Sequence, residues 1–134
     1  MPPLLQRDYL VEQIAQFVAA ILRALREAHE RHDESACEDV EAAVAELVSL
    51  PADTALALSP ESLAQMMDLS GLGYTTAAYV GYALDRLADV YEDMGRVELA
   101  ELRRAQAETV AERFDVDLLA VPPECDEEDR AIFG

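Results

Sequence analysis

Four residues near the end of the first predicted helix have side chains that bind metal ions in proteins: His29, His32, Asp33 and Cys37. A helix places positions three apart on neighbouring parts of its surface, and imidazole, carboxylate and thiolate groups are all zinc ligands. However, the group crosses a predicted turn and matches no compact zinc spacing, and Cys37 falls on an apolar row, where a thiol packs as a small hydrophobe. We therefore predict no catalytic, cofactor-binding or metal residues. A metal-binding sensor or small enzyme using these four residues is the alternative.

Paired carboxylates, such as Asp89 with Glu92, form the second set of chemically competent side chains. Acid–base catalysis needs such groups in a sheltered pocket that shifts their pKa values. These lie instead on polar faces of predicted helices. Glu92 with Arg96 and Glu27 with Arg31 have the spacing of surface ion pairs one helical turn apart, so we interpret these faces as solvated.

Glycines and tyrosines add no binding motif. Gly71 and Gly73 lack the third glycine and the preceding strand of a dinucleotide fingerprint, and they predict a turn. Gly81 lies inside a helix, where it costs about 1 kcal/mol relative to Ala, so it predicts a close approach by another helix. The tyrosines of the same region have no basic neighbours and are predicted to pack at helix crossings. They are Tyr74, Tyr79, Tyr82 and Tyr91.

The charge of the chain restricts its partners. Its 134 residues include 28 Asp and Glu against 10 basic residues, all of them Arg, for a net charge of −18. Binding to phosphate requires cations, so nucleic acid and anionic membranes are excluded as partners. The same charge leaves a further alternative open, an acidic mimic of nucleic acid.

The compartment is predicted from cysteine usage and from apolar runs. Cys37 and Cys125 are too few for a disulfide framework, and the first residues lack the pattern of a secretory signal. The longest apolar run, residues 17–22, is far shorter than the roughly 20 residues that span a bilayer. We expect a cytoplasmic protein.

The composition predicts an all-α fold. Hydrophobic residues make up 51% of the chain and aromatic residues only 6%, so Ala, Leu and Val must build the core. Ala and Leu are the best helix formers. Periodicity and caps predict about five helices in antiparallel hairpins, with a single helical domain over residues 1–119 and an acidic, largely irregular tail over residues 120–134. The proline pair Pro122-Pro123 is expected to stop any helix in that tail.

The first helix is predicted to begin after Asp8 and to end between Arg31 and Asp33. Its apolar residues recur in steps of three and four, and a second apolar row flanks the first, so most of its circumference must be buried. We therefore expect it to be the central helix or to pack against a second copy of the chain.

The remaining helices are bounded by caps and breakers. Asp33 is expected to cap a helix over residues 34–50 that Pro51 ends, and residues 51–58 are predicted to be a loop. Ser59-Pro60-Glu61 predicts a short helix. A helix over residues 75–94, stopped by Gly95, precedes one that begins at residue 96 or 97 and ends at Phe114.

The segment from residue 84 to residue 107 resembles one tetratricopeptide (TPR) unit, in which small residues let two helices approach closely. The matching positions are Leu84, Leu87, Ala88, Tyr91, Gly95, Ala100 and Ala107. The segment departs from that pattern at Arg104, where a large apolar residue is usual, and at Glu112, where proline is usual.

A wider resemblance covers residues 7–14, 58–63 and 87–95. These segments are similar to a family of small bacterial helical proteins known only as a domain of unknown function. The resemblance implies a helical fold and no particular activity. We therefore expect a non-enzymatic interaction or scaffold module, with a basic protein partner and self-association through the first helix.

Overall fold

The computed structural model describes the backbone of residues 3–134 and the side chains of residues 11–134. All regular secondary structure in this range is helical, as the composition predicts. The order is α1 (Pro3–Arg31), α2 (Glu34–Leu47), α3 (Ala52–Ala55), α4 (Pro60–Leu69), α5 (Tyr74–Asp93), α6 (Val97–Phe114) and α7 (Pro123–Phe133). The two helices beyond the predicted five are α3, a single turn inside the predicted loop, and α7. Within residues 3–134 no helix combines the length and apolar character needed to cross a bilayer.

Most predicted helix boundaries are confirmed. The Asp33 carboxylate accepts the backbone N–H of Ser35 at 2.9 Å and caps α2, and Ser59 caps α4 by accepting the N–H of Ser62. Gly95 follows α5 with a φ of 77°, a conformation that glycine adopts without strain. The structure differs at two points. The backbone is already helical from Pro3, so Asp8 lies inside α1, and α2 ends at Leu47 instead of continuing to Leu50.

The helices pack as two hairpins, and α3, α4 and α7 pack against them. α1 packs against α2, and α5 packs against α6. α2 also contacts α5, α4 lies on α6, and α7 lies on α1. Fully buried side chains from α1, α4 and α5 meet in a common core, and they include Ile21, Leu25, Leu63, Leu84 and Leu87.

The prediction of an irregular tail is wrong. Pro122 occupies the N-cap position of α7 and Pro123 its first helical position, where the missing N–H of proline costs nothing. The helix buries Cys125 and Ile132 against the core. The proline pair therefore starts a helix instead of preventing one.

The close approach predicted at Gly81 comes from a different element than expected. A Cβ atom added to Gly81 would lie 3.1 Å from Cδ2 of Leu118. Leu118 belongs to the segment between α6 and α7, not to a neighbouring helix. Glycine at this position lets that segment cross α5 closely on its way to α7.

Candidate interaction surfaces

The four candidate metal ligands have separate surroundings. Asp33 is occupied as the cap of α2, and its hydrogen bonds with Ser35 lower its pKa. His32 is exposed at the turn, and the thiol of Cys37 is buried 3.9 Å from the sulfur of Met94. Burial raises the pKa of Cys37 to about 11, so the thiol stays protonated at neutral pH. Over residues 11–134 the structure contains no group of three or more His, Cys, Asp or Glu side chains placed to hold a metal ion.

His29 packs against the carboxyl end of the chain. Its ring lies 4.9 Å from the ring of Phe133, measured between centroids. Its Nδ1 lies 3.8 Å from the carboxylate of Asp93. The guanidinium of Arg86 covers the Phe133 ring at 4.6 Å from its centroid. These contacts hold the end of α7 against α1 and α5, which gives His29 a packing role.

A buried arginine joins α2, α6 and the loop after α3. Arg103 is 5% exposed and donates to Glu41 at 2.7 and 3.0 Å and to the carbonyl oxygen of Leu56 at 2.7 Å. Tyr91 also donates to Glu41, at 2.9 Å. A buried charge is tolerated only when it is paired and hydrogen-bonded, and this one is. We conclude that the cluster holds the fold, since Arg103 and Glu41 direct their polar atoms at each other and at neighbouring groups.

The arginine that departs from the TPR pattern has a tertiary role. Arg104 donates to Asp85 at 2.9 Å and to Asp89 at 2.8 Å, which ties α6 to α5. It also approaches Glu92 at 3.4 Å. Arg96 pairs with Glu34 of α2 instead of with Glu92, so the ion pair predicted along one helix is replaced by a contact between helices.

A groove of about 320 Å³ runs along the α5–α6 hairpin, and we call it the hairpin groove. Its lining residues are Glu92, Val97, Ala100, Glu101, Arg104, Ala105 and Glu108. The floor is apolar, and Val97 is 57% exposed although it is a valine. Three carboxylates stand at the rim against one guanidinium, and that guanidinium is already bound to Asp85 and Asp89. The groove therefore combines an apolar floor with excess negative charge.

Within the amino-terminal half of α1, residues 3–16, the apolar stripe leaves the core toward Val11. One apolar stripe runs along the helix, and its exposure falls from 64% at Val11 to half-buried at Ile14, 9% at Val18 and 0% at Ile21. At about 1.5 Å per residue, the 29 residues of α1 measure roughly 43 Å and the 14 residues of α2 only roughly 21 Å. The core stripe thus continues past the end of the core.

A second groove, of about 250 Å³, lies between α1 and α2. Its lining residues are Gln13, Gln16, Phe17, Ala20, Ala43, Glu46 and Leu47. Amides and apolar groups dominate this groove, and Glu46 is its one charged residue. It therefore differs from the hairpin groove in charge, although the two have similar volumes.

Ion pairing leaves the surface negative. Of the nine arginines whose side chains the structure describes, seven are within 4 Å of a carboxylate, which leaves few cations for anionic ligands. Residues 1–28 carry three Arg and three acidic residues, so the net charge of −18 belongs to residues 29–134. Residues 3–16 hold one of these arginines and two of the acids, so the amino-terminal half of α1 has a net charge of only −1 in an anionic molecule.

Comparison with known proteins finds no matching family model, no matching curated protein and no matching solved structure. The roles of the hairpin groove and of the amino-terminal half of α1 are therefore inferred from their own shape and charge. Sequence reasoning identified the apolar first helix but missed the hairpin groove. Its signal in the sequence is a helix in which Val97, Glu101, Ala105 and Glu108 share one face.

Proposed function

We propose that this protein is a non-enzymatic interaction module that self-associates through the first helix and binds a basic protein partner. The observation that carries the proposal is the apolar stripe of α1, which is buried at Ile21 and 64% exposed at Val11. Exposed apolar surface that continues a buried core is typical of a protein interface.

Charge favours a second copy as the occupant of this surface. Two molecules that each carry −18 repel one another wherever their acidic helices meet. Residues 3–16 have a net charge of only −1, so contact through the amino-terminal half of α1 limits that repulsion. The groove between α1 and α2, lined by two glutamines and with Glu46 as its one charge, adjoins this half and extends the surface that two copies share. The cytoplasm is the compartment we propose, with both thiols free and buried.

The test is the solution mass of the chain at micromolar concentrations, measured by light scattering after size exclusion. We expect twice the 14.7 kDa of one chain. Val11→Glu should weaken the dimer by about tenfold or more, because a two-fold interface contains the substituted residue twice.

The matched control is Val97→Glu, which places the same charge at a similarly exposed valine, 57% against 64%. It should leave the dimer intact. A mass near 14.7 kDa for the unsubstituted chain throughout the micromolar range would refute self-association. Equal loss of the dimer in both variants would refute the assignment to α1.

A further inference from the structure

Two acidic residues of the hairpin groove are separated by two helical turns. Glu101 and Glu108 lie seven residues apart on α6, about 10.5 Å along the helix axis. Both are exposed, and neither has an ion-pair partner among the side chains of residues 11–134. Arg104 lies between them in the lining but is bound to Asp85 and Asp89. The charge of these two carboxylates is therefore available to a partner.

The floor of the hairpin groove suits a close approach. Ala100 and Ala105 have short side chains, so the backbone of a second helix can come near α6 there. Val97 offers exposed apolar surface at one end of the groove. A partner gains most by placing an apolar side chain on this floor and a cation over each carboxylate.

We infer that the hairpin groove binds a basic amphipathic helix with two cations seven residues apart and an apolar residue between them. On a helix, positions i, i+3 or i+4, and i+7 share one face, which matches the spacing of Glu101 and Glu108. An extended segment fits less well, because alternate residues face opposite ways and the described residues contain no strand to which it could add. The inference rests on the proposed function and specifies the partner class and its site.

The probe is a blocked synthetic peptide of Ala and Gln with two Lys residues seven apart and one Leu midway between them. Titration calorimetry measures its affinity, and amide chemical shifts show where it binds. We expect shifts concentrated at residues 92–108. A peptide of the same composition, with its two Lys residues on opposite faces, should bind about tenfold more weakly.

Two double variants separate a specific groove from general attraction to an anionic protein. Glu101→Gln with Glu108→Gln removes two charges from the groove, and we expect about a tenfold loss of affinity. Glu38→Gln with Asp39→Asn removes two exposed charges of α2 that lie outside both grooves, and it should change affinity by less than about twofold. All four positions are at the surface, so far-UV circular dichroism should show the helices unchanged.

Three results would overturn the inference: equal losses in the two double variants, shifts centred on the α1–α2 groove, or binding of both peptides with the same affinity. These outcomes are independent of the self-association test, which uses the chain alone. A monomeric chain that still binds the peptide at residues 92–108 would refute self-association and support the groove. A dimer that does not bind the peptide at residues 92–108 would support self-association and refute the groove.

Discussion

The two ends of the chain have opposite composition and opposite placement. The first half of α1 has a net charge of only −1 and is rich in apolar residues, yet its stripe leaves the core and Val11 is 64% exposed. Helix α7 carries acids at five of its eleven positions, yet it buries Asp129 to 4%. Composition alone would place these segments the other way round. The difference shows that the burial of a segment depends more on the partners that the rest of the fold supplies than on the polarity of the segment itself.

Helix α7 is held because α5 supplies partners for its carboxylates. Tyr82 donates to Asp129 at 2.7 Å, and Arg86 donates to both oxygens of that carboxylate at 2.7 Å. Burial, followed by the hydrogen bond to Asp129, raises the pKa of Tyr82, so its hydroxyl remains a donor. Tyr79 donates to Glu124, and that bond lowers the pKa of Glu124. Nothing comparable meets Val11 within the described residues.

Removing the buried carboxylate of Asp129 should have the largest effect on the free energy of unfolding. Asp129→Ala removes the acceptor of Tyr82 and both bonds from Arg86 to that carboxylate, although Arg86 keeps Asp89 as a partner. Leaving these donors unsatisfied at about 1–3 kcal/mol each should cost about 3–5 kcal/mol in total. Urea unfolding measures the loss, and amide exchange should show α7 released before the rest of the chain. Glu127→Ala, an exposed acid two residues away, should cost less than about 1 kcal/mol. Equal costs for the two variants would mean that the Asp129 cluster does not hold α7.

Alanine substitutions along the apolar stripe of α1 test the amino-terminal end of the chain in the same way. Ile21→Ala removes a fully buried side chain and should cost about 2–5 kcal/mol, whereas Ile14→Ala should cost less because Ile14 is half-buried. Val11→Ala should change the free energy of unfolding of the monomer by less than about 0.5 kcal/mol. These values come from urea unfolding at concentrations low enough to dissociate copies. A large cost at Val11 under those conditions would show that the stripe is covered within one chain.

Alkaline pH should destabilise the folded state through its two buried thiols. The effect of each thiol should be smaller than the effects of the substitutions at Asp129 and Ile21. Burial raises the pKa of Cys125 in α7 from its ordinary 9.0 to about 12. The unfolded chain therefore loses this proton from about pH 9 upward while the folded chain keeps it, so the free energy of unfolding falls as pH rises. Each such thiol contributes a slope of up to about 1.4 kcal/mol per pH unit.

The measurement is urea unfolding at several pH values between 9 and 10, with and without Cys125→Ala. Cys125→Ala should reduce the slope of the free energy of unfolding against pH by the amount that corresponds to about one proton. Val11→Ala should leave this slope unchanged. An unchanged slope after Cys125→Ala would show that the thiol titrates normally, and hence that α7 does not bury it.

Local signals predicted most of the helices because caps and breakers act over a few residues. Asp33, Ser59 and Gly95 bound α2, α4 and α5 as expected. The same reasoning failed at α7, because Pro122-Pro123 is compatible with both a helix start and a loop, and the choice depends on burial of Cys125 and Ile132. It also paired Arg96 with Glu92, whereas Glu34 of another helix is the partner.

The fold class, the anionic character and the excess apolar perimeter of α1 follow from the amino-acid sequence, because composition and helical period are properties of the chain alone. The burial of Asp129, the exposure of Val11 and the groove that Val97, Glu101 and Glu108 line are properties of the folded arrangement. Each of these depends on which residues distant in sequence come within contact distance. Burial and pairing are set by those neighbours, and the pattern along a single helix does not record them.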